Sequence, residues 1–438
     1  MRPSARRLPL RGADLVLVAM PKLWNGAGVS NNTVLVVQCD GAVAPERVRR
    51  AVDRLLDVCP WPSARLRRPF PWGALHWAAG ARARLAPPPV RQHTLTTPGG
   101  LREVVETELN AGIDARRDPP LRILLVDGPA TGEHFVVVTW FHPLMDPRGA
   151  QNLLTHLAHV DASNGHPPWD GVPPAFVPPT TADPRPLRER ARIAQRSVRF
   201  MGTLTPPPVS PGTGLAAPGR VRFLHGGFVE PEPALDGRRA TREISWRLAV
   251  VGRAMAGLWA RRGLPDIPFL VPISVDLRPK GEPGPTFGNM LAFHFARFRP
   301  SDTADLGVLA QTLRQQMADA LRDGQIEANA VALEFLRYRP LSTMLRVLPG
   351  TAEGETFSFN CADLAEFPAA LDVLFGRRVL DAYHVPAVLP RPGLGVFFNR
   401  CGSRHNLVAS WVEGAMTEDE VARILADVRA GMGWEAPR

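Results

Sequence analysis

Along the first half of the chain, continuous apolar runs alternate with stretches in which apolar residues recur every three or four positions. The runs at 33–38, 121–126 and 134–141 are rich in β-branched and aromatic residues and hold no Gly or Pro. That is the pattern of buried β-strands. Between the first two, Pro45 opens a helix with Val48, Ala51, Val52, Leu55 and Leu56 on one face. The short apolar segment 15–20 predicts a strand ahead of all these. The second half repeats the alternation. Residues 243–262 predict a helix, 269–275 a strand and 306–321 a long amphipathic helix. Thr417, with Glu420 three positions on, forms a capping box for a last helix whose apolar face is Val421, Ile424, Leu425 and Val428. Between the halves prolines crowd together, as at Pro167 and Pro168, Pro178 and Pro179, and Pro206 to Pro208. This stretch reads as a crossover linker with one short helix at 187–200. The expected fold class is α/β (α+β), with subdomains at 1–165 and 221–438 joined by a linker at 166–220.

The run 134–141 ends at His142, followed by Pro143, Leu144, Met145 and Asp146. A His at a strand end can enter a cleft, and its ordinary pKa lies near working pH, which suits a general base. Asp146 before Pro147 is a helix start, with Asp as N-cap and Pro at the first helical position. Leu153, Leu154, Leu157 and Val160 follow at helical spacing. The expected geometry is strand, His-bearing turn, Asp-started helix. Taken alone, each residue has a plainer reading: a surface or core histidine, and an aspartate that only caps.

The chain has 438 residues, more than one ordinary core, and length predicts two domains of roughly 200 residues each. No apolar run reaches the ~18–20 residues of a membrane helix. The apolar segment after the basic N-terminus is too short for a secretory signal, so the expected location is the cytoplasm. The formal charge of +10 is carried by Arg, with only two Lys, Lys22 and Lys280. No basic run is interleaved with aromatics, which points away from nucleic acid. The charge favours anionic ligands, such as a nucleotide-containing thiol cofactor or an acidic carrier protein, or acts only as a solubility term. Cys39, Cys59, Cys361 and Cys401 form no CxxC, so neither a zinc site nor a redox pair is indicated and free thiols are expected. There is no GxSxG elbow, no HExxH, and no Gly-rich loop ending in Lys and Ser/Thr. Gly212 and Gly214 lie in the Pro-rich linker, not after a strand, and do not make a dinucleotide fingerprint.

In order along the chain, several soft patterns resemble the HxxxD thioester-dependent acyltransferases. That superfamily includes chloramphenicol acetyltransferase, peptide-synthetase condensation domains, bacterial wax ester synthases and plant BAHD acyltransferases. Residues 41–66, with Cys59 and Pro60, resemble the opening strand, helix and "hPxLra" stretch. Ile113 and Asp114 through Pro120, Leu121 and Arg122 resemble "fDl…PLlR". Phe141, His142, Asp146 and Pro147 correspond to HHxxxDG. Asp276, Leu277 and Arg278, then Phe287, Gly288 and Asn289, resemble "vdlR…fGN". Phe357, Ser358 and Asn360 resemble the "vSN" strand. Two positions depart: Phe141 stands for the first His of the motif and Pro147 for its Gly. The DFGWG motif of the BAHD branch is not recognisable.

The resemblance implies two chloramphenicol acetyltransferase-like subdomains in a V-shaped pseudo-dimer, with an active-site tunnel at their interface. It implies transfer of an acyl group from a CoA or carrier-protein thioester to a hydroxyl or amine of a small-molecule or carrier-bound acceptor, in natural-product or lipid biosynthesis. His142 would be the general base. Asp146 would be structural, with Arg278 its expected partner. Asn289, Ser358, Asn360 and Trp140 are candidates for substrate contacts. No bound cofactor or metal is expected. Acyl-CoA or a phosphopantetheinyl acyl carrier protein would be the donor, with any carrier acting in trans on a monomer. Two other readings stay open: a non-catalytic condensation-like protein that docks a carrier, and a hydrolase with water as acceptor.

Overall fold

The protein is represented by a computed structural model, which describes residues 6–19, 30–68, 73–79, 86–128, 132–163, 183–204, 206–213, 215, 219–229, 243–278, 286–337 and 357–435. Of the Pro-rich stretch expected as a linker, residues 166–182, 205, 214 and 216–218 lie outside them. The chain opens with β1 (Arg6–Pro9), α1 (Gly12–Ala19), β2 (Asn32–Cys39), α2 (Pro45–Val58), β3 (Arg65–Arg67), β4 (His76–Ala79), β5 (Val90–Thr94) and α3 (Leu101–Asn110). It continues through β6 (Leu121–Gly128), β7 (Glu133–Phe141), α4 (Pro147–Ala162), α5 (Leu187–Gly202), β8 (Val221–Val229), α6 (Ile244–Arg261), β9 (Phe269–Asp276) and β10 (Leu291–Phe298). It closes with α7 (Leu306–Arg322), α8 (Gln325–Leu336), β11 (Asn360–Glu366), β12 (Val373–Leu374), β13 (Arg377–Pro386), β14 (Leu394–Cys401), β15 (Arg404–Val412) and α9 (Glu418–Met432).

A mixed six-stranded sheet in the order β12-β13-β2-β7-β6-β5 carries the first half, and a four-stranded sheet β11-β14-β15-β8 the second. Strands β9 and β10 form an antiparallel ribbon. The period-2 alternation of a strand explains the two cores. On β2, Val34 and Val36 face a core shared with α6, β14 and β15, while Leu35 and Val37 face one built with α2 and α4. The expected elements at 33–38, 45 onward, 121–126, 134–141, 187–200, 243–262, 269–275, 306–321 and 417 onward are all present.

Two elements differ from expectation. The segment 15–20 was expected as a strand, but Gly12–Ala19 is helical. Asp14, three residues beyond the N-cap Arg11, turns back and accepts the Arg11 backbone N–H at 2.7 Å, which closes the first turn. Glycine at position 12 lets the helix seat directly on α8, because a Cβ there would lie 2.1 Å from the Leu333 carbonyl oxygen. The "vSN" stretch is extended only from Asn360. Ser358 instead ties to β9, exchanging two hydrogen bonds with Leu270. The C-terminal strand β13 pairs antiparallel with β2 inside the first sheet, a crossing that no local pattern announced. Among the described residues, no helix is long and apolar enough to cross a membrane, no group of His, Cys, Asp and Glu is arranged for a metal ion, and no disulfide joins any two of the four cysteines.

Candidate active site

Strand β7 delivers its last residue, Phe141, to a single 3-10 turn, His142–Leu144, and α4 begins immediately after. The turn is fixed at several points. His142 donates its backbone N–H to Asn31 at 2.8 Å, and its carbonyl accepts from Met145 at 3.2 Å. The Trp140 indole, fully buried, donates to the Met145 carbonyl at 2.8 Å. Asp146 caps α4 by accepting the Gly149 N–H at 2.7 Å. Pro147 occupies the first helical position, where its missing N–H leaves no bond unmade. The departure at the motif's last position is therefore built into a regular helix start.

Asp146 does more than cap. Arg278, at the end of β9, grips it in a bidentate pair: Nη2 to Oδ1 at 2.8 Å and Nη1 to Oδ2 at 3.0 Å. The Met290 N–H adds a fourth hydrogen bond at 2.8 Å. The two side chains are 0 % and 9 % exposed. Arg278 also donates to the Gly288 carbonyl at 2.8 Å and pairs with Asp276 at 3.0 Å. Burial disfavours its charge, yet Asp146 and Asp276 more than offset that and raise its pKa. With four donors on two oxygens, Asp146 has nothing left for a substrate. It acts as a rivet between the His turn and the segment after β9.

His142 is half-buried. Burial lowers its pKa below the usual imidazole value, against the opposing pull of its own backbone, the Met145 backbone and the Asp146 charge. Its Nδ1 is enclosed with no hydrogen-bond partner among the described residues. The ring is therefore neutral at neutral pH, the form in which an imidazole can accept a proton.

The other sequence candidates separate into two groups. Asn289 joins the site, its side-chain Nδ2 donating to the His142 carbonyl at 3.2 Å and to Asp14 at 2.9 Å. Asn360 is half-buried at the head of β11, opposite Gly395. Trp140 and Ser358 are fully buried, the Trp140 indole donating to the Met145 carbonyl and the Ser358 hydroxyl accepting from the Leu270 N–H. Two residues had no forecast role. Asp14 touches the site through Asn289, and a lone acid in an apolar run was the only sign of it. Gly149 lets α4 approach the second half, since a Cβ there would lie 2.0 Å from the Phe287 carbonyl oxygen. A glycine in a helix's first turn was its signal.

Sequence comparison finds no matching family model and no matching curated relative. Comparison of the fold does. The chain is similar to the starter condensation domain of rhizomide synthetase RzmA, whose mutant in complex with C8-CoA and Leu-SNAC superposes with TM-score 0.66 at 14% identity, covering 98% of this chain and 94% of that one. Another mutant of that domain, bound to C8-CoA alone, gives TM-score 0.67 at 15% identity with the same coverage. The condensation domain of the Monacolin K polyketide synthase MokA gives TM-score 0.63 at 13% identity, covering 98% and 97%. Over essentially its whole length, this chain has the chloramphenicol acetyltransferase-like α/β fold of condensation domains.

Proposed function

We propose that the protein is a stand-alone condensation-type acyltransferase, moving an acyl group from a CoA or carrier-protein thioester to a hydroxyl or amine. One observation carries the reading most: a half-buried His142, its pKa lowered by burial, sits on a turn riveted by Asp146 and Arg278. The acceptor's O–H or N–H attacks the thioester carbonyl while His142 takes its proton. The tetrahedral adduct collapses, the C–S bond breaks, and the leaving thiolate takes the proton back from the imidazolium. No acyl-enzyme is needed, because the thioester is already activated.

In this reading the donor's phosphopantetheine arm enters a tunnel between subdomains 1–165 and 221–438 from one face and the acceptor enters from the other. Asn289 and Asn360 are the side chains proposed to contact substrate. The RzmA domain's complexes with C8-CoA and Leu-SNAC support thioester ligands for this fold. The enzyme is proposed to act as a cytoplasmic monomer, in natural-product or lipid assembly. The alternative, a carrier-docking protein without chemistry, rests on Phe141 in place of the motif's first His.

The test is incubation with a panel of acyl-CoA and acyl-carrier thioesters plus hydroxyl and amine acceptors, following free thiol and product mass. Thiol release matched by acylated acceptor is the expected result, and thiol release without acylated acceptor marks a hydrolase. Absence of turnover with every donor, together with tight carrier binding, establishes the docking protein instead.

A further inference from the structure

Helix α1 reaches both backbone groups of His142 through two asparagines. On one side, the Asn31 side chain donates to the Leu17 carbonyl of α1 at 2.6 Å, while the Asn31 carbonyl accepts the His142 N–H at 2.8 Å. On the other, Asp14 of α1 accepts from Asn289 Nδ2 at 2.9 Å, and the same amide nitrogen donates to the His142 carbonyl at 3.2 Å. With two acceptors facing it, that end of Asn289 must be the NH2 group. Its Oδ1 is enclosed without a partner among the described residues, so Asp14 and His142 alone set the amide's orientation. The helix is itself anchored: Gly12 donates to Glu334 of α8 at 3.0 Å, and nothing larger than glycine fits there.

We propose that Asp14 is a positioning residue: by holding Asn289, it fixes the carbonyl of His142 and with it the aim of the imidazole. The inference rests on the acyltransferase reading for its kinetic consequence, though not for its geometry. Capping alone does not account for Asp14, because the cap uses Oδ2 and leaves Oδ1 for Asn289. The carboxyl is 4 % exposed. Burial pushes its pKa up to about 7, and Glu334 adds to the rise. The Arg11 backbone, the Asn289 amide and the Arg11 charge pull the other way. Among the described residues, the titratable and charged groups around it are thus Arg11, Glu334 and, across Asn289, His142. The grip on Asn289 strengthens as Asp14 ionises, since a carboxylate accepts more strongly than a carboxylic acid.

The experiment compares wild type, Asp14→Ala, Asp14→Asn, Asn289→Ala and the Asp14→Ala/Asn289→Ala double variant, with kcat and KM measured from pH 5.5 to 8.5. In parallel, the His142 ring is followed by NMR in protein carrying labelled histidine. Misaiming a base costs up to about 100-fold. Asp14→Ala is expected to lose about 10- to 100-fold in kcat with donor KM nearly unchanged, and the double variant is expected to be no worse than the worse single. Asp14→Asn keeps only a neutral, weaker acceptor for Asn289, so its kcat should match the wild type's low-pH plateau, above Asp14→Ala and below the wild type above pH 7, and the inflection near pH 7 expected of the wild type should be gone. Unchanged kcat in Asp14→Ala, or multiplicative losses in the double variant, overturns the proposal. If Asp14→Ala does not fold, Asp14→Asn decides, and an inflection near pH 7 that survives in it overturns the proposal. If the wild type transfers no acyl group, the acyltransferase reading fails by itself. The NMR arm then stands alone: a His142 signal and titration that differ between wild type and Asp14→Asn support the link, and identical ones refute it.

Discussion

Two histidines flank the first turn of α4, and their surroundings give them opposite uses. His142 stands on the turn before it, half-buried, with a ring that burial keeps neutral. His384, on β13, lies wholly inside, stacked on Phe367 at 5.1 Å and edge-on to Trp140 at 6.2 Å. Its Nδ1 lies 3.0 Å from Asn399 Oδ1. Burial drives its pKa down to about 4, against the pull of Asn399 and the Pro147 backbone. Burial lowers the pKa of both rings, but only His142 is partly exposed. If His142 is the base, as proposed, what sets it apart is where its backbone turn is held, since the lowered pKa is common to both.

The sharpest test of that contrast is His142→Ala. Loss of a general base costs ~10²–10⁴-fold, so turnover should nearly vanish while the thermal unfolding midpoint stays within a few degrees. Turnover at the wild-type rate would move the protein to the docking reading, or to catalysis by proximity alone.

Next in size is the rivet beneath the turn. Asp146→Ala and Arg278→Ala each strand a buried partner, which costs ~3–5 kcal/mol. Denaturant unfolding should show the double variant little worse than either single. Additive losses would mean that the two residues stabilise the fold separately.

A smaller effect concerns acid stability. In the unfolded chain His384 titrates near its ordinary 6.5; folded, it does so at about 4. As pH falls through that window the unfolded state binds the proton first, so stability drops between about 6.5 and 4. His156 and His294, lowered to about 4 by burial, act in the same direction. A non-titrating His384→Gln, close to histidine in volume, should flatten part of this slope in urea titrations at pH 4.5 to 7, and an unchanged slope would show that His384 does not contribute.

The smallest expected effect is on the donor. Exposed Arg side chains attract anionic phosphate or an acidic carrier only within about 8 Å at physiological salt. Donor KM should rise several-fold from low to moderate salt, with a neutral acceptor's KM little changed. Equal, salt-independent turnover of an N-acetylcysteamine thioester would rule out a charged handle.

Legibility in the sequence followed the range of the interactions. The strand 134–141, the cap at Asp146 and the box at Thr417 were readable because neighbours within four residues decide them. The Asp146–Arg278 pair joins residues 132 apart; only the resemblance to a family suggested it. Helix α1 was misread because its Leu and Val run suits a strand as well as a helix. What selects the helix is a turn closed by Asp14 and a seat on α8 reserved for Gly12. The insertion of β13 beside β2 depends on which sheet edge is vacant, and no local pattern encodes that.

That insertion has a consequence for synthesis at the ribosome. Until Arg377–Pro386 has emerged, β2 is left as an outer strand whose residues are nearly all buried in the finished fold and whose hydrogen-bonding groups lack their eventual partner. Such an edge invites pairing with other chains. The nascent protein must keep it covered while some 340 further residues are made. Premature termination anywhere in that interval leaves an incomplete sheet open to aggregation, whatever remains of the turn that carries His142.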